Sequence, residues 1–247
     1  MNRFFLSPKL IVDDRVSFPP DISHQIQHVL RLREGEMVSV LDNQGHLFRV
    51  ILNSTTSEES VFGKIIAVED ADTEPKTNLA LCFGLSHRDK VELILQKGTE
   101  IGVSSFQPFI SSRTLVQTDY ISKNKQERWE RIIREAAEQS HRGRLPILET
   151  PLAFEECLVS IQEGHGLCLL AWEGAERDQV RLGDLLVEKR GDSIAVFVGP
   201  EGGFSEEETE LADESGCEII TLGKRILRME TAAILLPALI LHEVGEL

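Results

Sequence analysis

The 247-residue sequence is short of positive charge: 26 Lys and Arg face 41 Asp and Glu, for a formal net charge of −15. Strong binders of nucleic acid are usually basic overall, so this balance argues against a simple basic RNA binder. Long apolar runs are also scarce. The one extended stretch, Ala232 to Leu241, contains Pro237 and is too short to span a bilayer. It reads as a buried helix, and no membrane partner is expected. The four cysteines, Cys82, Cys157, Cys168 and Cys217, are widely scattered. They read as reduced core residues of a cytosolic protein, without disulfides. The seven histidines show no metal spacing. His24 and His28 are one helical turn apart but lack a third ligand, so no metal is expected. The glycines do not follow the G-x-G-x-x-G dinucleotide spacing, and no phosphate-cradling loop with a following Lys-Ser/Thr pair is present. The start, Met1-Asn2-Arg3-Phe4-Phe5-Leu6, is soon broken by Pro8 and Lys9, which argues against a secretory leader.

The acidic balance is uneven. Between Arg113 and Arg144 stand Lys123, Lys125, Arg128, Arg131, Arg134 and Arg142, against Asp119, Glu127, Glu130, Glu135 and Glu138. That segment is locally positive. It reads equally as a solvated helix face with Glu/Arg pairing and as a surface for phosphate.

The first seventy or so residues are β-rich. Met37 to Asp42 alternates, Asn43-Gln44-Gly45 makes a turn, and His46 to Leu52 and Val61 to Val68 follow as strands. A short helix is expected near Ile22 to Val29. Asp70 to Lys76 is polar, carries Pro75, and is the best linker. These boundaries give a first domain over 1–72 and a second over 76–247.

In the second domain the pattern becomes strand, helix, strand, helix. Leu79 to Leu85 is an apolar run, and Ser86-His87-Arg88-Asp89 resembles a capping box. The helix behind it puts Val91, Ile94 and Leu95 on one face. Ser105 to Ile110 is a strand. Gln126 to Ser140 is a periodic helix with Trp129, Ile132, Ile133, Ala136 and Ala137 on one stripe. Gly166 to Trp172 and Ile194 to Val198 are continuous apolar strands of the kind buried on both faces. Ser205-Glu206-Glu207-Glu208 is a second capping box, and Cys217 to Leu222 is the last strand. This alternation makes the fold class α/β with a mostly parallel sheet. Ligands of such sheets sit beyond the carboxyl ends of strands.

Two strand ends carry the sequence's most specific features. Val198-Gly199-Pro200-Glu201-Gly202-Gly203-Phe204 is a glycine-rich turn whose backbone can approach a ligand closely. Leu222-Gly223-Lys224-Arg225-Ile226-Leu227-Arg228-Met229-Glu230-Thr231-Ala232 runs from a second strand end into an apolar helix. A single such turn is often only a tight connection. Two close in sequence can converge on one small ligand. Leu222, Ile226 and Leu227 can form an apolar slot for an adenine ring, and the Gly202 and Gly203 amides can bind a polar tail. Ala171-Trp172-Glu173 is a third unusual strand end. Glu230 reads first as a carboxylate favoured by the helix dipole and second as a proton acceptor. Arg225 and Arg228 are basic residues in the same run, and Arg225 can bind phosphate.

These two runs resemble the cofactor loops of SPOUT RNA methyltransferases, and within that class the ribosomal small subunit methyltransferase E family. The likeness extends to Asn2-Arg3-Phe4-Phe5, to His28-Val29-Leu30-Arg31-Leu32-Arg33, to Gln96-Lys97-Gly98-Thr99-Glu100-Ile101-Gly102-Val103 and to Glu135-Ala136-Ala137-Glu138-Gln139-Ser140 with Arg142. It covers nearly the whole chain. Gly98 departs from it, since alanine is expected there, and a mid-helix glycine costs about 1 kcal/mol relative to alanine.

The resemblance implies a cytoplasmic S-adenosylmethionine-dependent enzyme. It would methylate N3 of a uridine in 16S rRNA of the small ribosomal subunit. It implies a homodimer, a trefoil knot in the carboxyl-terminal domain and a PUA-like β-barrel for RNA in the first. The cofactor residues would be Trp172, Gly199, Pro200, Glu201, Gly202, Gly203, Leu222, Gly223, Ile226, Leu227 and Arg228. Arg228 and Glu230 would be catalytic. Arg3, Arg31, Arg33, Arg113 and Arg142 would face RNA, although Arg3, Arg31 and Arg33 also read as ordinary surface arginine. Glu100, Glu135, Gln139 and Arg142 either form a buried network or line the RNA groove. Two alternatives stay open: a SPOUT enzyme acting on tRNA or a ribose 2′-hydroxyl, and a non-catalytic RNA-binding protein.

Overall fold

The computed structural model describes residues 1–54, 61–114, 121–162, 164, 166–175, 182–188 and 193–247. Its contacts divide into two units, Met1–Glu74 with Ala137–Leu145, and Pro75–Ala136 with Pro146–Leu247. The sequence boundaries at 72 and 76 place Ala137–Leu145 in the second domain, whereas its contacts lie with the first unit.

The first unit is built on a six-stranded sheet. Its strands are β1 (Arg3–Phe5), β2 (Ile11–Val12), β3 (Arg15–Phe18), β4 (Met37–Leu41), β5 (His46–Ser54) and β6 (Val61–Asp70), in the order β1-β4-β5-β6-β3-β2. Only β1 with β4 is parallel; the other pairings are antiparallel. The expected helix near Ile22 to Val29 is α1 (Pro20–His24) followed by a π-helical turn over Gln25–Val29. Alternation buries Phe4, Val16, Phe18, Val38, Val40, Val50 and Leu52 with Ile22 and Ile26 in one core. The returning segment docks on the β4–β5 turn. Leu145 N donates to Asn43 Oδ1 at 2.7 Å and Arg144 donates to the Gln44 carbonyl at 3.1 Å.

The second unit holds β7 (Asn78–Gly84), α2 (Arg88–Ile101), β8 (Ser105–Ile110), α3 (Lys123–Gln139), β9 (Ile147–Leu148), β10 (Leu152–Ala153) and α4 (Phe154–Gln162). It continues with β11 (Leu167–Ala171), α5 (Leu182–Glu188), β12 (Ser193–Val198), α6 (Glu206–Glu214), β13 (Glu218–Ile220) and α7 (Met229–Glu243). The last residues of α3 fall in the first unit. The sheet order is β10-β8-β7-β12-β11-β13, with β9 also beside β8. Every pairing in it is parallel.

The period of two explains why these strands read as continuous apolar runs. Leu79, Leu81 and Phe83 of β7, and Ile194, Val196 and Val198 of β12, enter one core with α2, α3 and α7. Ala80, Cys82, Ala195 and Phe197 enter a second core with α4 and α6. A sheet covered on both faces has no polar side to show.

Three local expectations need correction. Ser86 does not cap α2: His87 is the N-cap and makes no side-chain cap bond. The Ser86 hydroxyl donates instead to Glu201. Gly98 is not simply a weak alanine, because a Cβ there would lie 2.7 Å from the buried Phe106 ring. The cysteines are not all reduced. Parallel pairing sets Leu169 opposite Glu218, which brings the preceding Cys168 and Cys217 together, and they form a disulfide across 49 residues of sequence. Cys82 and Cys157 are free and buried. The second capping box is formed: Ser205 accepts from the Glu208 backbone N–H, and Glu208 Oε2 accepts from Ser205 N at 2.8 Å.

Candidate active site

The carboxyl ends of β11, β12 and β13 open on one cavity of about 390 Å³, within the size range of small-molecule sites. Each loop has its own anchor. Trp172 N donates to the Ile220 carbonyl at 3.0 Å, which fixes the end of β11 against β13. The glycine turn closes through Gly203 N to the Pro200 carbonyl at 2.9 Å. Pro200 packs so closely on Gly84, at the end of β7, that a Cβ on Gly84 would lie 2.6 Å from the proline ring. Phe204 plugs the turn into an aromatic cluster, stacked on Phe109 with centroids 5.9 Å apart. In the third loop Gly223 N donates to the Thr221 hydroxyl at 3.3 Å.

Most of the expected cofactor residues converge. Trp172, Gly199, Pro200, Glu201 and Gly203 line the cavity from two loops, and Leu222, Gly223, Ile226, Leu227 and Arg228 line it from the third. Gly202 is absent from the wall. Its carbonyl accepts a hydrogen bond from Arg113 at 3.2 Å. Ile226 is 84% exposed, so the apolar slot is open to solvent on that side. Arg225 and Arg228 are exposed at the rim. Arg228 is the N-cap of α7 and makes no side-chain cap bond, which leaves the first-turn N–H groups without a side-chain cap.

Lys90, Glu173, Met229 and Ala232 also line the wall, and the motifs gave no sign of Lys90. It donates to Glu201 Oε1 at 2.9 Å. Burial pushes the Glu201 carboxyl up, but the bonds from Ser86 and Lys90 outweigh it and hold the group below the usual range. Glu230 stands beside the wall, with a buried Oε2 that has no hydrogen-bond partner among the described residues.

The expected RNA arginines behave differently from one another. Arg31 and Arg33 are exposed, Arg31 with a left-handed φ of 54°. Arg3 donates to the His141 carbonyl at 2.9 Å. Arg113 braces the glycine turn. Arg142 is 4% exposed and paired with Glu74, so it is a structural group of the first unit. Of the open network, Glu100 bonds Lys97 at 2.8 Å, while Glu135 and Gln139 are exposed. Asp119 lies outside the described residues. Among the described residues no cluster could hold a metal, and no helix is long and apolar enough to cross a membrane.

The model of an RNA methyltransferase domain matches residues 73–241. The chain is 32% identical over 242 residues to the Ribosomal RNA small subunit methyltransferase E of Bacillus subtilis, covering 94% of this chain and 93% of that protein. It is 34% identical over 231 residues to the Synechocystis protein of the same name, covering 93% and 74%. The crystal structure of a Ribosomal RNA small subunit methyltransferase E from Neisseria gonorrhoeae bound to S-adenosyl methionine superposes with a TM-score of 0.85 at 30% identity. That match covers 98% of this chain and 97% of the other. With a glycine-turn cavity at the ends of three parallel strands and likeness along almost the whole length, the chain belongs to the ribosomal RNA small subunit methyltransferase E family.

Proposed function

We propose that this protein transfers the methyl group of S-adenosylmethionine to N3 of a uridine in 16S rRNA of the small ribosomal subunit. The observation that carries the reading is the convergence of both glycine turns and the Trp172 strand end on one cavity. The cavity fits the cofactor on three counts. Gly203 has a φ of 69°, and Gly223 has a φ of 109° with open space where a Cβ would stand, so backbone can meet the ligand directly. Glu173 and Glu201 put carboxylates on the wall, suited to a ligand carrying a sulfonium and an ammonium. Leu222, Leu227 and Met229 give it an apolar side.

When bound, the cofactor supplies the electrophilic methyl group. The protein's own task is alignment and charge. N3 of uridine is a poor nucleophile while protonated, and holding it in line supplies several kcal/mol. Arg228, exposed at the rim, stabilises charge on the uracil oxygens. Glu230 takes or steers the N3 proton. Glu201, Gly202 and Gly203 fix the glycine turn, while Trp172, Leu222 and Ile226 frame the ligand. Arg31, Arg33 and Arg3 of the first unit contact RNA, that unit serving as a PUA-like barrel. A cytoplasmic homodimer and a trefoil knot around the cofactor loops belong to the same reading, which the family relationship supports.

The test is methyl transfer from labelled S-adenosylmethionine to small subunits, with nucleoside mass spectrometry. One N3-methyluridine per subunit is expected. A 2′-O-methyl product, or transfer to tRNA in its place, would overturn the assignment. No transfer at all would leave an RNA binder.

A further inference from the structure

Lys90 joins three elements at one ammonium. It projects from the first turn of α2, lies 2.9 Å from Glu201 Oε1 in the glycine turn, and 3.8 Å from Glu230 Oε2 at the head of α7. The first contact is a hydrogen bond; the second is too long for one. Ser86, just before α2, donates to the same Glu201 oxygen. The glycine turn is therefore held from the α2 side by two donors. At Glu230 the Lys90 charge faces an Oε2 that is buried and has no hydrogen-bond partner among the described residues. A buried acceptor left open is costly, and more so when charged. It persists where a neighbouring charge offsets the cost and a ligand completes it. The bond from Glu201 raises the Lys90 ammonium above the ordinary lysine range, against burial and the opposing charge of Arg228. Lys90 thus stays charged on the cavity wall. An ammonium carries three donors on a flexible stem, and Glu201 accounts for one.

We propose that Lys90 is a positioning residue for the methyl transfer, tying the glycine turn to the head of α7 and orienting the Glu230 carboxylate. This rests on the proposed function. In it, the Glu230 carboxylate takes the N3 proton, the N3–H electron pair forms the bond to the methyl carbon, and the departing sulfur keeps the pair of the bond that breaks. Lys90 touches neither reactant in this scheme and acts through Glu201 and Glu230.

Two double-mutant cycles test it. In the first, calorimetry measures S-adenosylhomocysteine binding to Lys90→Met, Glu201→Gln and the double variant. Each single variant should lose about tenfold in affinity and the double little more, as for residues in one network. In the second, single-turnover transfer at saturating cofactor and subunits is measured for Lys90→Met, Glu230→Gln and the pair. The single losses should be roughly 10²-fold and again not additive. Lys90→Arg should restore most of both. Thermal melts establish that the variants fold, and Lys90→Gln replaces Lys90→Met if the latter does not. Wild-type values for Lys90→Met, or fully additive losses in both cycles, would overturn the role of Lys90 alone. A wild-type protein that transfers no methyl group would overturn the proposed function, and this inference with it.

Discussion

Arg113 donates a hydrogen bond to the carbonyl oxygen of Gly202 across 3.2 Å, and a Cβ on Gly202 would lie 2.9 Å from Arg113 Cβ and 3.0 Å from its carbonyl oxygen. Arg113, which the sequence offers to RNA, is exposed and also braces the glycine turn. Beside it, Ser112 N donates to Glu208 Oε1 at 2.8 Å while Glu208 Oε2 completes the α6 capping box. The turn is fixed from the loop after β8, from Gly84 of β7 and from Lys90 of α2.

Gly203→Val should abolish useful cofactor binding without unfolding the protein. The φ of 69° is strained for a β-branched residue, and the new Cβ would meet Glu173 Oε1 at 2.9 Å. Strain of about 1–3 kcal/mol would displace the turn and lower affinity at least tenfold. Calorimetry with S-adenosylhomocysteine reads the affinity, and circular dichroism reads the fold. Normal affinity would remove the turn from the site.

Arg228→Ala should cut the transfer rate much more than cofactor affinity. Loss of one donor to developing charge typically costs on the order of 10²–10³ in rate. Arg228→Lys should recover only part, because lysine lacks the planar pair of donors. A single-turnover rate within a few-fold of wild type would reduce Arg228 to a helix-terminal or phosphate-binding residue.

Removing Arg142 should destabilise the protein rather than alter RNA binding selectively. Arg142 Nε donates to Glu74 Oε1 at 3.2 Å, and that oxygen also accepts from Gly143 N at 2.8 Å and Arg144 N at 3.3 Å. Breaking a buried pair costs roughly 3–5 kcal/mol, so Arg142→Met should lower the urea midpoint strongly. Burial pushes the Glu74 carboxyl up, but Arg142 and the two amides outweigh it and lower it in the folded state. Its stabilisation is therefore present above the unfolded glutamate value of about 4.3. It is lost as pH falls through the lower folded value. Urea midpoints of wild type and Glu74→Gln should differ at neutral pH and converge in acid; a pH-independent difference would contradict this.

Gly98→Ala should lower the melting temperature, although helix propensity alone would raise stability by about 1 kcal/mol. The added methyl would stand 2.7 and 2.9 Å from two atoms of the Phe106 ring, and overpacking costs about 1–3 kcal/mol. Phe106→Leu in the same chain should relieve part of the loss. A higher melting temperature for Gly98→Ala would show that the ring yields without cost.

Much of the second unit was legible because burial on both sheet faces writes itself as uninterrupted apolar runs, as at Leu79–Leu85 and Ile194–Val198. The α3 stripe was legible because Trp129, Ile133, Ala136 and Ala137 recur at helical spacing and are all buried. The short pieces were not: β1, β2, β3, β9 and β10 have only two to four residues each. That is too few for a period to show, and pairing alone makes them strands. Ser86 shows the same limit. Its local pattern suggested a cap, and a partner 115 residues away took the hydroxyl instead.

The sequence by itself determined the parallel α/β layout and named both glycine turns, because chain reversals that bring backbone to a ligand need glycine at fixed local positions. Tertiary structure decided what each charged residue does. Arg113 braces, Arg142 pairs, Arg228 stands exposed at the rim, and Lys90 holds two carboxylates, yet in the sequence all four are simply basic residues. It also decided the Cys168–Cys217 bridge, set by the register of two parallel strands. A charge or a thiol takes its role from the groups brought within a few ångströms of it, and sequence spacing does not carry that distance.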